Sequence, residues 1–483
     1  MPRERTAPAN SSFSSKHSVT VRPRHPGPSA GAIALAVMAS QALAQETPSL
    51  EEMWRIIQQQ QVEIDALKAE NERLRGEESS ERVPATTLID EPIAVNEREE
   101  ETRVESDVEG ATSITFSGHA MLDMGYQSKQ SNPDWFDVLR PTKLPAFDNE
   151  YGDDGRFYSS VRQSRLGVST QTPTALGDLK TLIEFELFGV GDDAGQTTFR
   201  LRHAWGELGQ FGAGQYWSAF MDIDVFPNSI EYWGPNAMVL YRNVQARWTP
   251  WTNNDGSRFA ISLERPGGSG GESELDSIID RDNIEPDLEL PDLAMHYRHV
   301  DDWGHVQLAG ILRQIRWADV GDDDLDLSGE ETGWGLNLST NLRFGPHVFR
   351  GSLVHGQGIQ NYMNDANADI GVVLTPNIDR PFRGEAIPLT GAVAFLDLNW
   401  SEKWTSTVGY AIQTNDLPSL STPRSFEKGE YALANLLYHP HPRVLLGPEI
   451  QWGRRENFDG FSADDLRLQF SAKYSFSKTL ITR

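Results

Sequence analysis

The sequence predicts a transmembrane β-barrel of about sixteen antiparallel strands, preceded by a short N-terminal coiled-coil helix. Three observations point there. From Ser113 onward apolar and polar residues alternate with a period of two. The connections between the alternating stretches are by turns very short and long. No apolar run reaches the roughly 18–20 residues that a membrane-spanning helix needs, so any crossing has to be made by strands.

Each segment has its own reason. Arg3, Arg5, Lys16, Arg22 and Arg24 form a basic leader, followed by an apolar stretch from Ala32 to Ala39 and by Ala42-Leu43-Ala44. That order predicts a secretory signal peptide over residues 1–44. Residues 45–76 predict a coiled coil. Leu50, Ile57, Ile64 and Asn71 share one heptad position, and Met53, Gln60, Leu67 and Leu74 share the other. A helix this short is marginal alone, so the pattern implies self-association. Residues 77–112, acidic and Pro-bearing, read as a solvated linker.

Residues 113–483 carry the barrel pattern. Leu466, Leu468, Phe470, Ala472, Tyr474 and Phe476 alternate with Arg467, Gln469, Ser471, Lys473 and Ser475. Ile114, Phe116, Ala120 and Leu122 do the same against Thr115, Ser117, His119 and Asp123. Phe199, Leu201 and Trp205 are expected outward, opposite Arg200 and Arg202. Candidate strands fall near 113–127, 158–171, 178–190, 196–208, 210–217, 238–249, 258–266, 292–300, 303–317, 331–344, 346–357, 387–400, 403–413, 429–439, 443–454 and 462–476. One apolar and one charged face, with short turns at one end and long loops at the other, describe a sheet between lipid and water. Closure then satisfies every backbone N–H and C=O within the lipid.

Composition narrows the function. The formal charge of -27 argues against a nucleic-acid binder, which presents a broad basic face. The absence of cysteine excludes disulfides, thiolate metal sites and cysteine nucleophiles. The sequence contains no Gly-x-Ser-x-Gly, no His-Glu-x-x-His, no phosphate-cradling glycine loop and no calcium loop. No enzyme, cofactor or metal site is therefore expected, a barrel hydrolase or a structural tether being the alternatives to a pore.

Arg162-Gln163-Ser164-Arg165-Leu166-Gly167, Phe199 to Glu207 and Gly214-Gln215-Tyr216-Trp217-Ser218 look like trimeric Gram-negative porins. The block Phe220-Met221-Asp222 with Phe226-Pro227-Asn228-Ser229-Ile230-Glu231-Tyr232-Trp233-Gly234-Pro235 is more specific and resembles the DcaP-like porins. The resemblance implies a homotrimer in outer-membrane lipid and lipopolysaccharide, its helix in the periplasm. It also implies a loop after the fifth strand, about 218–237, folded into the pore, and small carboxylate solutes, notably dicarboxylates. One departure is the tail Ser477 to Arg483, since such barrels normally finish on an aromatic residue like Phe476.

Strand parity places Arg165, Arg200, Arg202 and Arg247 on polar faces of neighbouring strands, with Arg298 and Arg313 on comparable faces later. Guanidinium groups hold carboxylates bidentately and stay charged at any relevant pH, so these six predict a basic ladder along the lumen. Asp222, Asp224 and Glu231 are expected to face it from the inward loop. The alternative for each arginine is a salt bridge to a lumen carboxylate such as Glu184 or Glu186. Carboxylates clustered within 272–292 and at Asp322-Asp323-Asp324 read as solvated outer loops, or as cation bridges to lipopolysaccharide.

Overall fold

The computed structural model describes residues 111–276, 283–321, 326–377 and 380–482. The expected leader and coiled coil, and all but the last two residues of the linker, lie outside them.

Sixteen antiparallel strands close into one barrel. They are β1 (Thr112–Gln127), β2 (Arg156–Ser160 continued by Arg165–Thr174), β3 (Gly177–Phe188), β4 (Thr197–Leu208), β5 (Phe211–Trp217), β6 (Arg242–Thr252), β7 (Arg258–Glu264) and β8 (Asp292–Asp301). Then follow β9 (Gly304–Asp319), β10 (Gly329–Phe344), β11 (His347–Gln357), β12 (Pro388–Ser401), β13 (Trp404–Asn415), β14 (Phe426–Asn435 continued by Leu437–His441), β15 (Val444–Asn457) and β16 (Ser462–Thr482). Each predicted strand has its counterpart. Closure is a continuous β1–β16 ladder from Thr112 opposite Thr482 to Gln127 opposite Arg467.

Outward positions such as Phe116, Leu166, Leu308, Leu336, Leu468 and Phe470 are exposed on the barrel surface. A soluble protein would not leave so wide an apolar belt in water; hydrocarbon covers it. Aromatics gather beside the short turns, where Phe211 stacks on Trp248 and Trp404 lies 4.6 Å from Tyr438. Amphipathic rings settle at that depth because one edge meets apolar tails and the other meets water.

The structure changes two details. β16 does not stop at Phe476: Ser477 to Thr482 continue in register against Ser117 to Thr112. The tail is therefore the last turn of the closing ladder. Deleting residues 477–483 is expected to leave a barrel that folds but loses about 3–6 kcal/mol, from roughly six lost backbone hydrogen bonds at about 0.5–1 kcal/mol each. The urea midpoint in lipid vesicles reads this, and an unchanged midpoint removes the tail's role. The second change is a bulge in β4. Glu184 of β3 pairs with His203, whereas the next residue, Phe185, pairs with Leu201, which leaves Arg202 as the extra residue. Parity inverts there, so Trp205, expected outward, turns into the lumen. It is buried over Gly212, where a Cβ would stand 2.0 Å from the indole.

Candidate functional site

Residues 218–241, between β5 and β6, fold inward and follow the barrel wall. β6 begins at Arg242, so residues 238–241, expected to open that strand, belong to this loop. Wall side chains hold the loop backbone one after another. Glu264 of β7 accepts from the Ala219 N–H (2.9 Å), and Gln307 of β9 donates to the Met221 carbonyl (2.9 Å). Asn337 of β10 donates to the Phe220 carbonyl (3.1 Å). Further along, Asn435 of β14 donates to the Asn228 carbonyl (2.7 Å), and Glu449 of β15 accepts from the Ile230 N–H (3.0 Å). Gln469 of β16 and Gln163 each donate to the Ile230 carbonyl at 2.9 Å. Such a chain of anchors leaves few backbone groups of the loop unpaired in the lumen.

The acids of this loop are consumed in anchoring it. Asp222 is buried and accepts from Arg298 Nη1 (3.1 Å), His305 Nε2 (2.8 Å) and Ser339 Oγ (2.7 Å). Arg298 also donates to His305 Nδ1 (3.1 Å), which assigns the neutral tautomer with its proton on Nε2. Burial alone would raise the Asp222 carboxyl. The His305 hydrogen bond and the Arg298 charge outweigh it and hold the group well below the usual range. Asp224 is paired with the same guanidinium. Glu231 is buried, accepts from the Leu139 N–H (3.0 Å) and the Gly234 N–H, and burial pushes its carboxyl up to about 7. Of the three acids, Asp224 keeps the most exposed side chain, and the field expected from an acidic loop is largely cancelled by its own anchors.

The loop is anchored mainly on β7 to β16, and its Tyr232 also reaches Glu186 of β3. A cavity of about 1040 Å³ opens toward the short-turn end, lined by side chains of β1 to β11, β15, β16 and the loop itself. Among the described residues its lining holds ten arginine or lysine side chains against four aspartates or glutamates. Arg165, Arg200, Arg202 and Arg298 of the expected ladder line it, while Arg247 and Arg313 do not. Arg247 spends its guanidinium on the Trp217 carbonyl and Gln245 Oε1. Arg313 is 2% exposed, between Asp292 (3.0 Å) and Asp369 (2.9 Å). Parity gave the inward direction of these two correctly; it could not show that partners on other strands and loops would occupy them.

The centre of the basic wall is Glu186. Its carboxylate, fully withdrawn from solvent, accepts from Arg202 Nη1 (2.7 Å) and from Tyr232 Oη (2.5 Å). Arg200, Arg242 and Arg165 stand at 3.5, 3.7 and 3.9 Å from it. Glu184 shares Arg202 at 2.5 Å and Arg165 at 3.8 Å. Four guanidinium groups thus surround two carboxylates, and positive charge is left over. Arg200 is the most open of the four, with 27% of its side chain exposed.

Arg242 was missed because parity counted back from Arg247 sends it outward; it sits where the loop re-enters the wall. Arg350 was missed although parity marks it, between outward-facing Phe349 and Leu353. It reaches Asp397 at 2.5 Å and donates to the Asp224 carbonyl.

The family model described as DcaP outer membrane protein matches residues 93–476. The chain belongs to the DcaP outer membrane protein family. It is an outer-membrane porin of the Gram-negative envelope. The outer membrane channel DcaP of Acinetobacter baumannii superposes with a TM-score of 0.64 at 20% identity, over 76% of this chain and 100% of that one. An anion-selective porin from Comamonas acidovorans superposes at 0.50 with 11% identity, again over 76% and 100%. At these identities the likeness establishes the fold. No curated protein matches the sequence. The DcaP match ends at Phe476, and residues 477–482, which pair with β1, lie beyond the matched residues.

Proposed function

We propose that this DcaP-family porin passes small hydrophilic anions, dicarboxylates above all, by passive diffusion along the wall of β2 to β6. The observation that carries the reading is the surplus of guanidinium around Glu186 inside a protein of net charge -27. An ion in a narrow aqueous path through a low-dielectric slab pays a desolvation cost, which fixed wall charge of opposite sign offsets. Arg165 and Arg200 of the ladder meet the solute in this reading, with Arg202, buried between Glu184 and Glu186, and Arg242 completing the group and Arg298 lining the same path. Arg247 and Arg313, taken up by other partners, have no part in it. Segment 218–241 is the constriction, with Asp222, Asp224 and Glu231 holding it in place. That the Comamonas acidovorans porin is anion-selective agrees with the sign.

The chain acts here as a channel and not as an enzyme. It works as a homotrimer in outer-membrane lipid and lipopolysaccharide, its heptad segment at Leu50 to Leu74 holding the subunits together on the periplasmic side. The outer loops, rich in carboxylate, slow the approach of anions, so selectivity is weaker than the wall alone would give.

Reversal potential in a KCl gradient across a planar bilayer tests this. Wild type is expected to favour chloride and to show millisecond current block by succinate at micromolar to millimolar concentrations. Arg200→Ala, chosen because Arg202 is buried between its carboxylates, is expected to move the reversal potential toward the cation and to weaken the block about threefold to tenfold, roughly 0.7–1.4 kcal/mol. An unchanged potential removes Arg200 from the path.

A further inference from the structure

The loop between β1 and β2, residues 128–155, reaches the constriction from the long-loop side. Its Leu139 N–H meets Glu231, and Arg140 lies between the rings of Trp135 and Trp233, 4.2 and 3.9 Å from their centroids. Trp233 in turn lines the pore cavity. Arg455 of β15 fixes the next residues of this loop. It alternates with outward Arg454 and Glu456, faces the lumen and is only 9% exposed. Its guanidinium donates to the carbonyls of Thr142 (2.9 Å), Leu144 (3.4 Å) and Arg424 (2.7 Å), and to Asn457 Oδ1 (2.6 Å). Lys143, between two of those carbonyls, and Arg424 are thereby held beside it. Arg424 stacks on Phe147 of the same loop, 4.1 Å from the ring centroid.

Each of these four acceptors of Arg455 is a neutral oxygen, so its charge is left uncompensated. Among the described residues no carboxylate comes within 4 Å of Arg455, Lys143 or Arg424. Asp365, fully withdrawn from solvent, is spent on Arg140 (2.7 Å) and the Thr142 N–H (2.9 Å), and Glu150 accepts from the Ala146 N–H (2.5 Å). Lys143 registers the imbalance: burial first, then the charge of Arg140, lowers its pKa from the ordinary lysine value. Elsewhere at this end basic side chains are matched, Lys129 by Asp464 (2.7 Å), Arg380 by Asp326 and Arg383 by Glu385 (3.0 Å). Three unmatched cations amid acidic loops make a local well for anions. An ammonium that has lost water without gaining an acid is stabilised by a carboxylate that reaches it. A guanidinium stacked by its face still offers its N–H edge to a second one.

We propose that Lys143, Arg424 and Arg455 form a capture site for small dicarboxylates at the outer entrance of the pore. The inference rests on the anion path proposed above and gives that path its first station, on the long-loop side of the Glu186 wall. Because Arg455 faces the lumen, the site takes a dissolved solute and not a lipid headgroup. It raises the rate at which anions enter from outside, past loops that otherwise repel them, and leaves the time they spend at the wall unchanged.

Two measurements test this. In planar bilayers, Lys143→Ala with Arg424→Ala, which spares Arg455 and its anchoring bonds, is expected to slow the onset of succinate block at least threefold when succinate is added on the long-loop side. Onset from the short-turn side and the duration of each block are expected to stay as in wild type. Onset that is unchanged from the long-loop side overturns the proposal. The second measurement needs no transport. Lysines of the full-length protein in phosphatidylcholine nanodiscs are reductively methylated with carbon-13, and the Lys143 signal is identified by its loss in Lys143→Arg. Succinate is expected to shift that signal saturably at millimolar concentration, as a weak site does, and to do so equally in Arg200→Ala, whereas neutral succinamide leaves it in place. A signal that succinate does not move, or that succinamide moves as far, overturns the proposal. A shifting signal in a pore that succinate never blocks upholds the site and removes the dicarboxylate path instead.

Discussion

Arg298→Ala is expected to turn a quiet channel into a flickering one of higher conductance. The guanidinium is the only strongly basic partner within 4 Å of Asp222 among the described residues, and that carboxylate has no solvent exposure. Removing one partner of a buried pair costs about 3–5 kcal/mol, because the remaining charge cannot be hydrated where it lies. Most of that cost can be relieved by the loop pulling Asp222 toward water in the lumen, since the loop is joined to the wall by side chains and not by a strand ladder. The barrel has no such freedom. The expected result is therefore millisecond current fluctuation, larger mean conductance and an almost unchanged heat-modified gel shift. The double variant Asp222→Asn with Arg298→Ala tests the cause. With the buried charge removed as well, the His305 and Ser339 bonds suffice and the flicker should subside. If Arg298→Ala conducts as quietly as wild type, the backbone anchors from Gln307, Asn337 and Glu449 hold the loop unaided. That outcome would also make the Arg298 pairing irrelevant to the constriction.

The contrast between strands and loop also explains how much of this structure was legible in the residues. Lipid on one face and water on the other constrain every second side chain of a strand independently. Leu466 to Phe476 or Ile114 to Met124 could therefore be read without knowing their neighbours. Two kinds of fact were not local. One is insertion of a single residue: the bulge at Arg202 reverses parity from there on, and nothing in Arg200 to Trp205 distinguishes that from regular alternation. The other is neutralisation at a distance. Arg298 and Asp222 are 76 positions apart, and Arg313 and Asp369 are 56 apart. Sign and direction could be assigned to each of these side chains, but whether a solute or another residue would take the charge could not. The resemblance through Phe226 to Pro235 located the inward loop. It did not show that Asp222 and Asp224 would be neutralised by Arg298 of the wall, and that pairing is what keeps their charge out of the pore.

Glu186→Gln is the substitution that separates a solute path from a structural knot of charge, because the two give effects of opposite sign. Glu186 occupies, inside the wall, the position a solute carboxylate would take among Arg165, Arg200, Arg202 and Arg242. It competes with that solute for the same donors. Neutralising it removes a unit charge a few ångströms from the path. Such a charge is worth about 1 kcal/mol at 4 Å in the dielectric of water, and more where the wall lowers it. Succinate block is then expected to lengthen at least about fivefold, with the reversal potential moving further toward chloride. The amide oxygen can still accept from Arg202 while its NH2 donates to the Tyr232 hydroxyl, and Glu184 retains Arg202 at 2.5 Å, so the wall keeps its shape. If instead the four arginines exist to pack β3 against β4 and the inward loop, the amide should lower the heat stability of the barrel and leave block and selectivity where they were. Arg200→Ala moves both electrical readouts the other way in the first case and neither of them in the second. A shift of opposite sign in these two variants at constant stability therefore identifies the β2 to β6 wall as the surface along which anions travel.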